Sequence, residues 1–330
     1  MNDPLKPLPT DRRRFILGGA ALAGSFALNL RAKSENVEPL PDSSTKFNLL
    51  FAPHPGTFKA HAGENVLDQI RFAAAQGFTA WEDNGLPKQS AEMQENIGVT
   101  LREHGMTMGV FVAYANFDEP VFARADHSKR AEVLDQIRAA VPIAKRVGAK
   151  WLTVVPGSID QQHKDDKWNP YGGPRLREGA QTANAIELLR RCAEILEPEK
   201  LVMVLEPLNW ETNHGASFLR STDQAYALCK AVNSPSCKIL YDMYHEQITA
   251  GNIIATFEQC RDEIAYLQCG DNPGRKEPGT GEMHYGNIFR HIAAKAPELV
   301  IGMEHGNSKP GREGEIALIE AYRQVDPGPR

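Results

Sequence analysis

From Lys46 onward, short apolar runs alternate with amphipathic stretches. Eight runs read as strands: 47–53 (FNLLFAP), 79–84 (TAWEDN), 106–114 (MTMGVFVAY), 149–157 (AKWLTVVPG), 201–209 (LVMVLEPLN), 238–245 (KILYDMYH), 264–271 (IAYLQCGD) and 299–306 (LVIGMEHG). They are apolar on both faces for most of their length, as buried parallel strands are. Between them the apolar positions recur at helical spacing, as in 64–77 (ENVLDQIRFAAAQG), 130–148 (RAEVLDQIRAAVPIAKRVG) and 183–196 (ANAIELLRRCAEIL). Gly77, Gly105 and Gly148 stand where helix ends are expected, because glycine enters the left-handed region without a Cβ clash. Ser221-Thr222-Asp223 offers an N-cap before the fifth helix. The rhythm predicts eight β/α units, the number and size of a (β/α)8 TIM barrel. A doubly wound sheet is the alternative; it calls for a Gly-rich first turn, and no G-x-G-x-x-G follows the first strand. The longest connection, 158–174, follows the fourth strand. It reads either as a functional loop over the barrel mouth or as a surface excursion or subunit contact.

Residues 1–45 break the pattern. Arg12-Arg13-Arg14-Phe15-Ile16-Leu17 precedes GGAALAGSFALNL, a mildly apolar stretch followed by Arg31 and Lys33. It is short for a spanning helix, which needs about 20 apolar residues. Twin arginines before such a stretch are the pattern of a twin-arginine export signal, expected over 1–33. Residues 34–45 (SENVEPLPDSST) read as a linker, leaving 46–330 as one catalytic barrel domain. The expectation is an exported, periplasmic protein, membrane-anchored if the signal stays uncleaved, with no stable membrane insertion of the mature chain.

The second half carries the candidate chemistry. Strands five to eight each end an apolar run on one polar residue: Glu206 closes VMVLE, Asp242 closes KILYD, Gln268 closes AYLQ and Glu304 closes VIGME. Successive strand ends sit side by side around the C-terminal mouth of a barrel, so the four are expected to converge. Buried carboxylates without partners cost several kcal/mol, and three together repel one another. A single divalent cation relieves both. Oxygen-only ligation suits a hard ion, Mn²⁺, Mg²⁺ or Co²⁺.

Composition narrows the partners. The 330 residues are 42% hydrophobic and 24% charged, enough for a sizeable core, and the net charge of −5 gives no electrostatic case for nucleic acid. The five cysteines form no C-x-x-C pair, so neither a disulfide framework nor a structural zinc site is expected. Homo-oligomerisation is left open.

The segments LEPLN (205–209), LYDMYH (240–245), LQCGDNPGRKEPGTGE (267–282) and GMEHGNSKPG (302–311) resemble the hydroxypyruvate isomerase family of xylose isomerase-like TIM barrels. The resemblance covers most of 46–325 and is strongest after Leu201. It implies that Glu206, Asp242, Gln268 and Glu304 bind one divalent metal, and that Glu206 and Glu304 are the acid/base pair. It also implies that His245 and Arg275 contact a small sugar or hydroxy-carbonyl substrate. The implied reaction is aldose–ketose isomerisation through a cis-enediolate. The ketose 3-epimerase branch carries His where this chain has Gln268.

For several of these residues a plainer role stands beside the functional one. His245 is equally a candidate orienter of Asp242, and Arg275 a candidate loop salt bridge with Glu277 or Glu282. Glu211 and Lys309 are further substrate candidates that read as surface residues too. His54, Trp81, Trp168 and Tyr171 are candidate pocket walls, while His104, His284 and His291 read as surface or helix-face residues. Neither Pro53-His54-Pro55 nor Glu82-Asp83-Asn84 matches the family. Three rival functions follow. A ketose 3-epimerase or a keto-sugar/inosose dehydratase uses the same enolate chemistry. An exported sugar-binding protein would need no turnover. A metal-dependent endonuclease on the same barrel needs several metals and many His ligands, which strand ends such as WEDN and VAY lack.

Overall fold

The computed structural model describes residues 45–160 and 175–328. The expected export signal, most of the long connection, Trp168 and Tyr171 lie outside them. Nine strands are present among the described residues: β1 (Leu50–Ala52), β2 (Ala80–Trp81), β3 (Thr107–Met108), β4 (Val112–Asn116), β5 (Trp151–Pro156), β6 (Val202–Leu205), β7 (Cys237–Asp242), β8 (Ile264–Gln268) and β9 (Val300–Gly302). The helices are α1 (Lys59–Ala62), α2 (Val66–Ala75), α3 (Ala91–Glu103), α4 (His127–Val147), α5 (Glu178–Leu196), α6 (Thr222–Val232), α7 (Met243–Thr249), α8 (Ile253–Cys260), α9 (Tyr285–Lys295) and α10 (Gly311–Val325).

All strand pairs are parallel, in the order β1-β9-β8-β7-β6-β5-β4, with β2-β3 as a separate pair. On the β1 side a backbone bond joins the pair to the rest, the Glu82 N–H donating to the Pro53 carbonyl at 2.9 Å. On the other side the chain itself runs from β3 into β4, where the Thr153 N–H donates to the Phe111 carbonyl at 2.8 Å. The eight expected barrel strands are therefore all present, but the third is broken into β3 and β4. The break begins at Gly109, where a Cβ would lie 2.3 Å from the Tyr266 hydroxyl and 3.1 Å from the Trp81 carbonyl. The run 106–114 is apolar throughout and hides that crowding.

Alternation along the strands separates two cores. Val202 and Val204 join Ala52, Ala80, Val110, Trp151, Leu240, Tyr266 and Val300 in a buried interior cluster. Met203 and Leu205 face the larger cluster shared with the helices. Period-two geometry then dictates that the next inward residues are Glu82, Glu206, Asp242, Gln268 and Gly302. The helix ends behave as expected at Gly148, which caps α4 in the left-handed conformation (φ 73°) and donates its N–H to Ala144 O. Ser221 occupies the N-cap position of α6 but its side chain makes no cap bond; its hydroxyl donates to Asp223. All five cysteines are free and buried. No helix among the described residues is long and apolar enough to cross a membrane.

Candidate active site

Strand register sets the frame. Asp242 pairs with Gln268 across β7–β8, and Gln268 with Gly302 across β8–β9, so these positions lie level around the mouth. Glu206 follows the last residue of β6, and Glu304 lies two past Gly302. Glu206, Asp242 and Gln268 are buried, and Glu304 is partly exposed.

An oxygen of Glu206, an oxygen of Asp242 and Nε2 of His245 lie within 4.8 Å of one another. Asp242 also caps α7, accepting from the Tyr244 N–H at 2.9 Å, which fixes its orientation and places His245 three residues on. Nε2 stands 3.6 Å from Asp242 Oδ2 and 3.8 Å from Glu206 Oε1, with no hydrogen-bond partner. Its neighbour decides what it can do. Nδ1 accepts from the Asn209 backbone N–H at 3.2 Å and from Asn209 Nδ2 at 2.6 Å. The amide of Asn209 cannot turn, because its oxygen accepts from the Thr212 N–H and hydroxyl at 3.0 and 2.9 Å. Neutral His245 therefore carries its proton on Nε2 and offers a donor, not a lone pair, to the mouth. Burial, only partly opposed by Asp242, lowers its pKa to about 4 and keeps it neutral.

Arg275 supplies the positive charge. Its Nη2 lies 2.8 Å from Glu304 Oε2 and 3.2 Å from Asp242 Oδ2, and its Nε donates to Glu304 O at 3.0 Å. The guanidinium sits over the Tyr244 ring at 4.7 Å. Its backbone is left-handed (φ 51°), a conformation uncommon outside glycine, and the surrounding loop enforces it. Buried Asp271 accepts the Gly279 and Met283 N–H groups, while Glu277 ties the same loop to Ser308. Glu282 accepts from Asn272 Nδ2 at 3.1 Å, so both alternative partners are engaged elsewhere, and Arg275 points into the mouth.

Burial is the largest cause of a raised pKa at Glu206, reinforced by Glu304 and Asp242. Glu304 is raised for the same reason, with Arg275 pulling it back. Sequence reasoning left Glu82 without a role, yet the structure places it here. Its carboxylate accepts from Tyr266 O–H at 2.8 Å, Gln268 Nε2 at 2.9 Å and Asn84 Nδ2 at 3.1 Å. Its pKa is raised by burial and by Glu304, against those hydrogen bonds. Parity could have found it, since Glu82 stands two residues past inward-facing Ala80.

Glu211 and Lys309 are not brought to this cluster. Glu211 pairs with Arg220 at 2.6 Å, and the Lys309 ammonium with Glu313 at 2.6 Å, both at the surface. Trp81 is fully buried, and His54 hydrogen-bonds the His305 carbonyl at 3.1 Å. His104 ends α3 in an exposed position, His284 caps α9, and His291 pairs with Glu258 at 2.7 Å.

The donor set fits one hard dication. Asp242 and Glu304 share a single guanidinium, Glu206 forms no ion pair with an arginine or lysine among the described residues, and Gln268 Oε1 is buried with no hydrogen-bond partner. Such an orphaned oxygen costs free energy unless something positive meets it.

Comparison with known proteins agrees with this architecture. A family model described as a xylose isomerase-like TIM barrel matches residues 70–324. Hydroxypyruvate isomerase of Escherichia coli (strain K12) is 31% identical over 197 residues, covering 59% of this chain and 70% of that protein. The 2-oxo-tetronate isomerase of Cupriavidus necator is 27% identical, covering 78% of this chain and 92% of its own. A crystal structure titled AP endonuclease, family 2, from Brucella melitensis superposes with a TM-score of 0.67 at 22% identity. It covers 84% of this chain and all of its own, a likeness of fold.

Proposed function

Because this chain belongs to the xylose isomerase-like TIM-barrel family, we propose that it is an isomerase that moves a carbonyl group between neighbouring carbons of a small hydroxy-carbonyl compound. Its similarity to the hydroxypyruvate and 2-oxo-tetronate isomerases supports a short 2-oxo acid bearing hydroxyls as the substrate class. The observation that carries the reading is the meeting of Glu206, Asp242 and the Nε2–H of His245 at the barrel mouth, with Glu304 bound to the same arginine as Asp242.

Glu206, Asp242, Gln268 and Glu304 would hold a divalent cation (Mn²⁺, Mg²⁺ or Co²⁺), which would supply Lewis acidity when bound. The chain's own groups handle the protons. One of the pair Glu206 and Glu304 takes the proton from the hydroxyl-bearing carbon. The electrons left behind form the enediolate double bond, and the former carbonyl oxygen becomes the oxyanion. The other glutamate, which enters the step protonated, delivers its proton to the former carbonyl carbon, while the hydroxyl proton passes to the oxyanion; that oxygen becomes the new hydroxyl and the old hydroxyl oxygen the new carbonyl. His245 donates Nε2–H to a substrate oxygen throughout, and its low pKa keeps it from becoming a competing acid. Arg275 holds Glu304 and Asp242 in place and presents positive charge to an anionic substrate.

Turnover in D₂O tests this on a panel of short 2-oxo hydroxy acids and ketoses. Isomerisation puts deuterium at the carbon that was the carbonyl. A product epimeric at the adjacent centre would make the protein an epimerase, and loss of water a dehydratase. No turnover on any of them would overturn the enzymatic reading. We also propose export through the N-terminal segment. Replacing Arg12 and Arg13 with Lys should leave the protein in the cytoplasmic fraction, and unchanged periplasmic recovery would refute that.

A further inference from the structure

We propose that Glu82 is a positioning residue that makes Gln268 an oxygen ligand, by holding the nitrogen end of its amide. The inference rests on the cation site proposed above. An amide side chain has two ends of nearly equal shape, and only the oxygen binds a cation. Which end faces the mouth is decided by what holds the other. Gln268 Nε2 donates to Glu82 Oε1 at 2.9 Å, and this leaves Gln268 Oε1 buried without a hydrogen-bond partner. Oε1 of Glu82 also accepts from Asn84 Nδ2, so it is an acceptor even when the group carries a proton on Oε2, and the turned amide would set oxygen against oxygen at that distance.

The clamp is itself held. Asn84 Nδ2 donates to the same oxygen of Glu82 at 3.1 Å, and the Tyr266 hydroxyl donates to the other at 2.8 Å. Two glycines make the space. A Cβ on Gly302 would lie 2.0 Å from Glu82 Oε2, and one on Gly109 would lie 2.3 Å from the Tyr266 hydroxyl. Glu82 thus reaches across the barrel interior from β2 to β8 and β9. Three donors and Gly302 are arranged around one carboxylate, and Gly109 makes room for one of those donors, Tyr266; Glu82 acts through Gln268.

The test compares wild type with Glu82→Gln, with Gln268→Glu and with the double variant Glu82→Gln/Gln268→Glu. Each is titrated with Mn²⁺, and the free ion is read by electron paramagnetic resonance. Glu82→Gln places an amide where either end can face Gln268, so the orientation is lost and Mn²⁺ affinity should fall about 10- to 100-fold. In the double variant the new amide at 82 donates to one oxygen of the new carboxylate at 268, and the other oxygen stays free for the ion. It should recover most of the lost affinity and exceed Gln268→Glu alone, in which two carboxyl groups face each other, whereas a merely space-filling role for Glu82 predicts that Gln268→Glu alone binds as tightly as the double variant. Wild-type affinity in Glu82→Gln, or a double variant no better than either single, would overturn the proposal. If Glu82→Gln fails to fold, the double variant set against Gln268→Glu decides, since the double variant keeps the pair's charge and volume. Absence of Mn²⁺ uptake by wild type would instead bring down the cation site and this inference with it.

Discussion

At the scale of single residues, the candidate site is an arrangement of acceptors facing two donors. In the proposed mechanism Glu206 and Glu304 move protons through their carboxylates, and the corresponding amides would keep the shape. Glu206→Gln and Glu304→Gln should each lower kcat by about 10²- to 10⁴-fold with the far-ultraviolet circular dichroism unchanged. Full turnover in either would remove it from the acid/base pair. Asn209 offers a second test. It donates to His245 Nδ1 at 2.6 Å, so Asn209→Asp puts an anionic acceptor there. The imidazolium is then favoured, and the His245 pKa should climb from about 4 toward or past its ordinary 6.5, followed by imidazole NMR titration. The strand-end placement of Glu206, Asp242, Gln268 and Glu304 was legible in the sequence because each is the first polar residue after a buried apolar run. Glu82 was not, since β2 is two residues long and an aspartate and an asparagine follow it directly. Asn209 was hidden too: nothing local says that its amide meets a ring thirty-six residues on.

At the scale of elements, glycines report where backbones or site groups approach closely. A Cβ on Gly98 in α3 would lie 2.2 Å from the Arg146 carbonyl in α4, a backbone atom that cannot swing aside. Gly98→Ala should therefore cost about 1–3 kcal/mol of stability and leave Mn²⁺ affinity alone. Gly302→Ala collides with Glu82 instead, so it should lower both the melting temperature and the affinity. Thermal denaturation and Mn²⁺ titration of the two variants separate these outcomes. The eight β/α units were readable because burial on both faces makes a strand continuously apolar and a helix periodically so. The break in the third strand was not readable, because Gly109 yields to Tyr266, a partner remote in sequence. The outward course of Glu211 likewise depends on Arg220, nine residues on.

For the molecule as a whole, the buried acids set how stability answers to pH. Glu82, Glu206 and Glu304 hold protons above the ordinary glutamate value of 4.5, Glu82 to about 8. Over that interval the folded state binds more protons than the unfolded one, so stability falls as pH rises. His245 and His305 act the other way below 6.5, because their folded values are lowered to about 4 and about 3. The range from pH 6.5 to 8 is therefore the window in which the acids come to dominate, as the histidine contribution dies away. The metal-free protein's melting temperature should drop across it, and the drop should shrink with Mn²⁺ present; thermal scans at constant ionic strength measure both. The pairing of β2 with β3 has a further consequence. This two-strand piece is a clasp let into a seven-strand arc, and it carries Glu82, while the amide that Glu82 holds belongs to the arc. Docking the clasp and aiming the Gln268 oxygen are thus one event, so a chain whose clasp has come away keeps most of its wall and loses a complete set of ligands.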